Sequence, residues 1–158
     1  REISVEHLTT VKRSGASKAA MANYEYLDHT ADMSIVGHGA DMEEALTSLA
    51  FGMFNSMIDM ESIIPRDKIE VTLDAIDPES LVVDWLNELL FHYEVDGFIP
   101  KKLDLALSNT GTYLEAKCIG ETSDPNQRQI LTVVKAATYH NLKLTHNDGW
   151  HIEVTLDI

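Results

Sequence analysis

Positive charge is scarce in this chain. Twelve Lys and Arg stand against 26 Asp and Glu in 158 residues, a formal charge of −14 and a pI near 4.7. A polyanion is held largely by Lys and Arg neutralising its phosphates, so the deficit argues against a surface made for nucleic acid or an anionic membrane. Cations and basic protein surfaces stay open as partners. Cysteine is scarcer still. Cys118 stands alone, which excludes an intramolecular disulfide framework and a cysteine-rich zinc site and points to a reducing compartment. No apolar run approaches the roughly 18–20 residues of a membrane-spanning helix, and no basic-then-apolar leader opens the sequence. The expectation is a soluble intracellular chain, cytoplasmic or, in a eukaryote, also nuclear. Familiar catalytic signatures are missing too: no Gly-rich phosphate loop, no His-Glu-x-x-His helix, no Gly-x-Ser-x-Gly elbow, and no i,i+4 pair among seven histidines. Chemistry here would rest on oxygen ligands.

What is present is a core. Hydrophobic residues make up 44% of the chain, enough at this length for one domain. Residues 1–22 differ in composition, with Arg1, Lys12, Arg13 and Lys18, two acids and a Ser/Gly/Ala-rich stretch, and read as a flexible tail ahead of a domain spanning 23–158. Removing the tail leaves 8 basic and 24 acidic residues, so the acidity, −16, belongs to the domain.

Periodicity predicts two helices, over about 41–57 and 78–94. Asp41 and Glu44 resemble a capping box, and Ala45, Leu46, Leu49, Ala50, Met53, Phe54 and Met57 recur at three- and four-residue steps. Asp77-Pro78-Glu79-Ser80 opens the second, with Leu81, Val82, Trp85, Leu86, Leu89 and Leu90 as its apolar face and Asp96-Gly97 as the turn beyond. Alternation marks strands at 69–75, 103–107, near 112–119, over 130–140 and from His151 to the end, with two short strands flanking Asp28-His29-Thr30-Ala31-Asp32. The fold class is α+β, a single compact domain of mostly antiparallel sheet covered by two helices.

Two polar clusters stand out, the 28–32 loop and the terminal Leu156-Asp157-Ile158. Hard cations such as Ca²⁺ or Mg²⁺ take several oxygen ligands, and two carboxylates with an α-carboxylate would supply both charge and ligand number if the clusters met in space. Taken singly, each residue has a plainer reading. Asp28 and Asp32 suit a turn, Asp157 the solvent face of an edge strand, and Lys135 the exposed half of an alternating strand. Cys118 reads as a half-buried inert thiol, and Trp85 and Phe54 as core.

Tyr26-Leu27-Asp28-His29-Thr30-Ala31-Asp32, Glu43-Glu44-Ala45, Trp85-Leu86-Asn87-Glu88-Leu89-Leu90, Val134-Lys135-Ala136-Ala137-Thr138-Tyr139-His140 and the terminal Asp157-Ile158 together resemble the archease family, in order, from about Tyr24 to Ile158. One departure is Gly37-His38-Gly39, with a histidine where the family pattern has a small or apolar residue. The resemblance implies an accessory protein, not an enzyme, that helps the GTP-dependent tRNA-splicing RNA ligase take up guanylate and turn over repeatedly. It also implies a divalent cation, calcium first with magnesium or manganese as alternatives, held by Asp32, Asp157 and the Ile158 carboxylate. Asp59 is a weaker candidate on the same acidic surface, and Lys135 a group that would offset carboxylate repulsion. Direct nucleic-acid or membrane binding is not expected. Two other readings compete: a metal-assisted hydrolase using Asp28, His29 and Asp32, and an acidic chaperone-like binding module.

Overall fold

The computed structural model describes residues 22–27 and 32–158. Asp28, His29 and nearly all of the expected tail therefore lie outside the described residues. Among the described residues, seven strands and two long helices follow one another as β1 (Asn23–Leu27), β2 (Asp32–Gly39), α1 (Met42–Met57), β3 (Asp67–Asp74), α2 (Pro78–Asp96), β4 (Phe98–Leu107), β5 (Tyr113–Thr122), β6 (Ala136–His146) and β7 (Trp150–Asp157). They build two antiparallel sheets, one ordered β1-β2-β7-β6 and the other β3-β5-β4. The helices lie between the sheets: α1 packs on β1, β2 and β7 of the first and β4 of the second, α2 on β6 of the first and on all three strands of the second. Helices covering sheet is what the periodicity predicts; a sheet on either side of them is not visible in it.

Both helix starts follow from their sequence. Asp41 accepts from the Glu44 N–H while Glu44 reaches back to the Ala40 N–H, so two orphan donors are satisfied reciprocally. Asp77 caps α2 in the same way through the Ser80 N–H, with Pro78 in the first turn. Gly97 ends α2 in the left-handed region at φ 74°, where a side chain would be strained. The apolar stripes meet at Trp85, fully buried, whose indole N–H donates to the Leu46 carbonyl at 2.9 Å and ties α2 to α1. Phe54 is likewise fully buried. Gly37 faces the first turns of α1, and a Cβ there would stand 2.7 Å from the Ala45 carbonyl oxygen, so the helix rests directly on the β2 backbone.

Two strand boundaries differ from the pattern-based expectation. Residues 130–135 are not strand; β6 starts at Ala136 and runs on to His146. The cause is the Asn147-Asp148-Gly149 turn, with Asp148 at φ 58° and Gly149 at φ 102°, which sets the β6–β7 register from its far end. Between Thr138 and Lys143 that register shifts, and Asn141 takes φ 55° in the bulge. At the other boundary β5 continues through Glu121 and Thr122, because Glu121 is buried by the Ile64 N–H, Arg66 and Arg128, all of which donate to its carboxylate. Cys118, on β5, is fully buried, and burial pushes its thiol up to about 12, away from nucleophilic use near neutral pH.

Candidate cation site at the end of the first sheet

Along the β2/β7 ladder directly opposed residues share a face. One row, Met33/Leu156, Ile35/Val154 and Gly37/Ile152, turns toward the helices; Ile35, Val154, Ile152 and Leu156 are buried there. The alternate row is polar: Asp32/Asp157, Ser34/Thr155, Val36/Glu153 and His38/His151. Antiparallel pairing thus brings together one residue from each of the two clusters, with Asp32 opposite Asp157 at the end of the described ladder.

Several elements fix that end. Ala136, the first residue of β6, pairs with Asp157 on its other side, and the Lys135 N–H donates to the Asp157 carbonyl at 2.7 Å. Lys135 itself is exposed and precedes β6; it is held here through its main chain, and its ammonium makes no salt bridge among the described residues. Asn87 of α2 clamps the next residue: its amide accepts from the Ala137 N–H at 2.8 Å and donates to the Ala137 carbonyl at 3.1 Å. One step inward, the buried Ser34 and Thr155 hydroxyls are 3.1 Å apart, and Thr138 donates to the Thr155 carbonyl. Tyr26 donates its hydroxyl to the Gly52 carbonyl; burial raises that phenol well above its ordinary range, so it remains a neutral donor.

Asp59 does not join the pair by any described contact. It caps the short 3-10 turn Met60–Ser62, accepting from the Glu61 N–H at 3.1 Å. Because α1 runs antiparallel to β2, Asp59 nonetheless lies beyond the helix end nearest Asp32, on the same end of the molecule.

The donor chemistry fits a hard cation. Like charges directly opposite on an antiparallel pair repel, and a divalent ion between the carboxylates reverses the sign of that interaction. No group of three His, Cys, Asp or Glu side chains among the described residues is placed to hold a metal, so the set would be completed by the Ile158 carboxylate, one residue beyond Asp157 and partly exposed.

Residues 24–158 match the Archease protein family (MTH1598/TM1083). The chain belongs to the archease family. Curated relatives named "Protein archease" include those of Methanosarcina barkeri, 40% identical over 139 residues covering 85% of this chain and 95% of the relative, and Pyrococcus abyssi, 32% identical over 142 residues covering 87% and 100%. The solution structure of Methanobacterium thermoautotrophicum protein 1598 superposes with a TM-score of 0.70 at 28% identity, over 85% of this chain and 98% of that one. The archease fold thus extends over nearly all of the described chain. Among the described residues no helix is long and apolar enough to cross a membrane.

Sequence reasoning missed three features of this arrangement. Asn87 sits between the buried Trp85-Leu86 and Leu89-Leu90 of α2, and nothing in its spacing marks it as a clamp. The Ser34/Thr155 pair and the His38/His151 pair were hidden, because each depends on the β2/β7 register rather than on local spacing.

Proposed function

We propose that this archease-family chain is an accessory protein of the GTP-dependent tRNA-splicing RNA ligase, promoting its guanylylation and repeated turnover rather than catalysing a step itself. The observation that supports this reading is the meeting of Asp32 and Asp157 at one sheet end, beside a chain terminus and on a strongly acidic domain. In this reading Asp32, Asp157 and the Ile158 carboxylate hold a divalent cation, calcium first. Bound there, such an ion would supply positive charge that offsets the repulsion between the two carboxylates. Asn87 and the Lys135 main chain keep the terminal strand in register, while the surrounding acids suit a basic partner that itself carries the RNA. An acidic accessory protein then acts by favouring one conformation of its partner.

The test is guanylylation of the purified cognate ligase by GTP, alone and with wild-type protein, Asp32→Ala, or a chain truncated after Leu156. Wild-type protein accelerates the reaction and both variants fall to the level of ligase alone, with thermal melts showing that each stays folded. Equal stimulation by all three rejects the site. Turnover of a phosphate or acyl ester by the isolated chain would instead favour the metal-assisted hydrolase.

A further inference from the structure

At the end of the β2/β7 ladder away from Asp32, His38 and His151 are direct cross-strand partners, and their Nδ1 atoms lie 2.8 Å apart. The outer nitrogen of each ring is already committed. His38 Nε2 is 2.7 Å from the Glu25 carboxylate, and His151 Nε2 is 3.0 Å from the Asn147 carbonyl oxygen. A carbonyl oxygen only accepts, so His151 carries its proton on Nε2, and a carboxylate at Glu25 would call for the same tautomer in His38. With both rings in that tautomer, two Nδ1 lone pairs face each other at contact distance. That arrangement is stable only with an electrophile between them, either one proton or a metal ion.

We infer that His38 and His151 form a two-imidazole site for a borderline transition-metal ion of the Zn²⁺ class, separate from the oxygen-donor end of the ladder. Metal-binding histidines characteristically donate their second N–H to a carboxylate or a main-chain carbonyl, which fixes the tautomer and raises ligand basicity. Both outer partners are present here. Glu25 adds a second observation pointing the same way: it is 4% exposed, and among the described residues its Oε1 has no hydrogen-bond partner and its ion pair is with His38. A buried carboxylate needs positive charge nearby, and an ion on His38 Nδ1 supplies it through the ring.

His38 and His151 both line a cleft of about 920 Å³, together with Glu43, Asp104 and Asp148, whose charge raises the local concentration of cations. No third His, Cys, Asp or Glu among the described residues completes a cage, so an ion held by the two rings would keep positions for water or an incoming ligand. Zn–N bonds of about 2.0–2.1 Å in tetrahedral geometry place two nitrogens a little over 3 Å apart. The rings would separate by roughly half an ångström, and the proton they share would leave to solvent.

The experiment is calorimetric titration of tag-free protein with Zn²⁺ in excess Ca²⁺, so that oxygen-donor sites are already filled. Wild-type protein takes up one Zn²⁺ per chain at micromolar free metal. His151→Gln and the double variant Glu25→Gln/His38→Gln, which avoids a stranded buried carboxylate, each weaken that uptake by roughly tenfold or more. Thermal melts without metal verify that the variants fold. Substituting Co²⁺ gives visible ligand-field bands that disappear in the same variants. The inference is overturned if wild-type protein binds no Zn²⁺ in this range, which leaves a shared proton as the bridge, or if all three proteins bind it equally.

Discussion

The β2/β7 ladder ends in two carboxylates at Asp32/Asp157 and, six residues along, in two imidazoles at His38/His151. The ends are roughly 20 Å apart at about 3.3 Å per residue, and a single register generates both, yet they differ in how they are prepared. The carboxylate end is defined by charge, with Asp157 and Ile158 exposed and their main chain held by neighbouring strands. The imidazole end is defined by orientation, with each ring pinned from behind by Glu25 or Asn147. Antiparallel pairing of like groups therefore has two outcomes: an end whose repulsion a hard cation would offset, and an end whose rings are oriented before any ligand arrives.

The largest effect comes from disturbing what both ends share. Gly37→Val places a side chain against the Ala45 carbonyl oxygen and Leu49, and α1 can yield only by moving off β2. A loss of about 3 kcal/mol in urea denaturation is expected, with cation responses at both ends weakened together. Should one end be spared, the ladder is not the rigid common frame described here.

Asn87→Ala separates the ends. It strands the Ala137 N–H and carbonyl beside Asp157, at a cost of about 2 kcal/mol. Ligase stimulation and the Ca²⁺-dependent rise in melting temperature fall, while Zn²⁺ uptake at His38/His151 is unaffected because Asn87 touches nothing there. Equal loss of both responses would remove the distinction between the ends. The smallest effect is the most pointed. Asp32→Asn deletes one of two opposed charges, and its melting temperature no longer rises with Ca²⁺. A Ca²⁺ response as large as that of the wild type would place the ion elsewhere.

Much of this fold could be read from residue spacing. The caps at Asp41 and Asp77, the two stripes meeting at Trp85, and the alternating terminal strand are local signals, and the structure realises each. Asp32 and Asp157 were also legible as candidates, through their residue type and the resemblance. What spacing does not contain is pairing. That Asp32 faces Asp157, or His38 faces His151, depends on β2/β7 pairing between residues more than a hundred apart in sequence. The Asn147-Asp148-Gly149 turn explains why β6 lies later than its hydrophobic pattern suggests. His38 was visible only as a departure from the family pattern, and its partner only once the strands were paired. Asp28 and His29, by contrast, fall outside the described residues.

The two tryptophans are placed so differently that they serve as separate optical probes. Trp85 is sealed in the interior with its indole bonded to Leu46, whereas Trp150 is half-buried, stacks on the His146 ring at 4.7 Å, and immediately precedes His151. Replacing Trp85 with Phe leaves one fluorophore beside the imidazole pair. Its emission would follow events at that end of the ladder without an added label, and stay dark to those at the other.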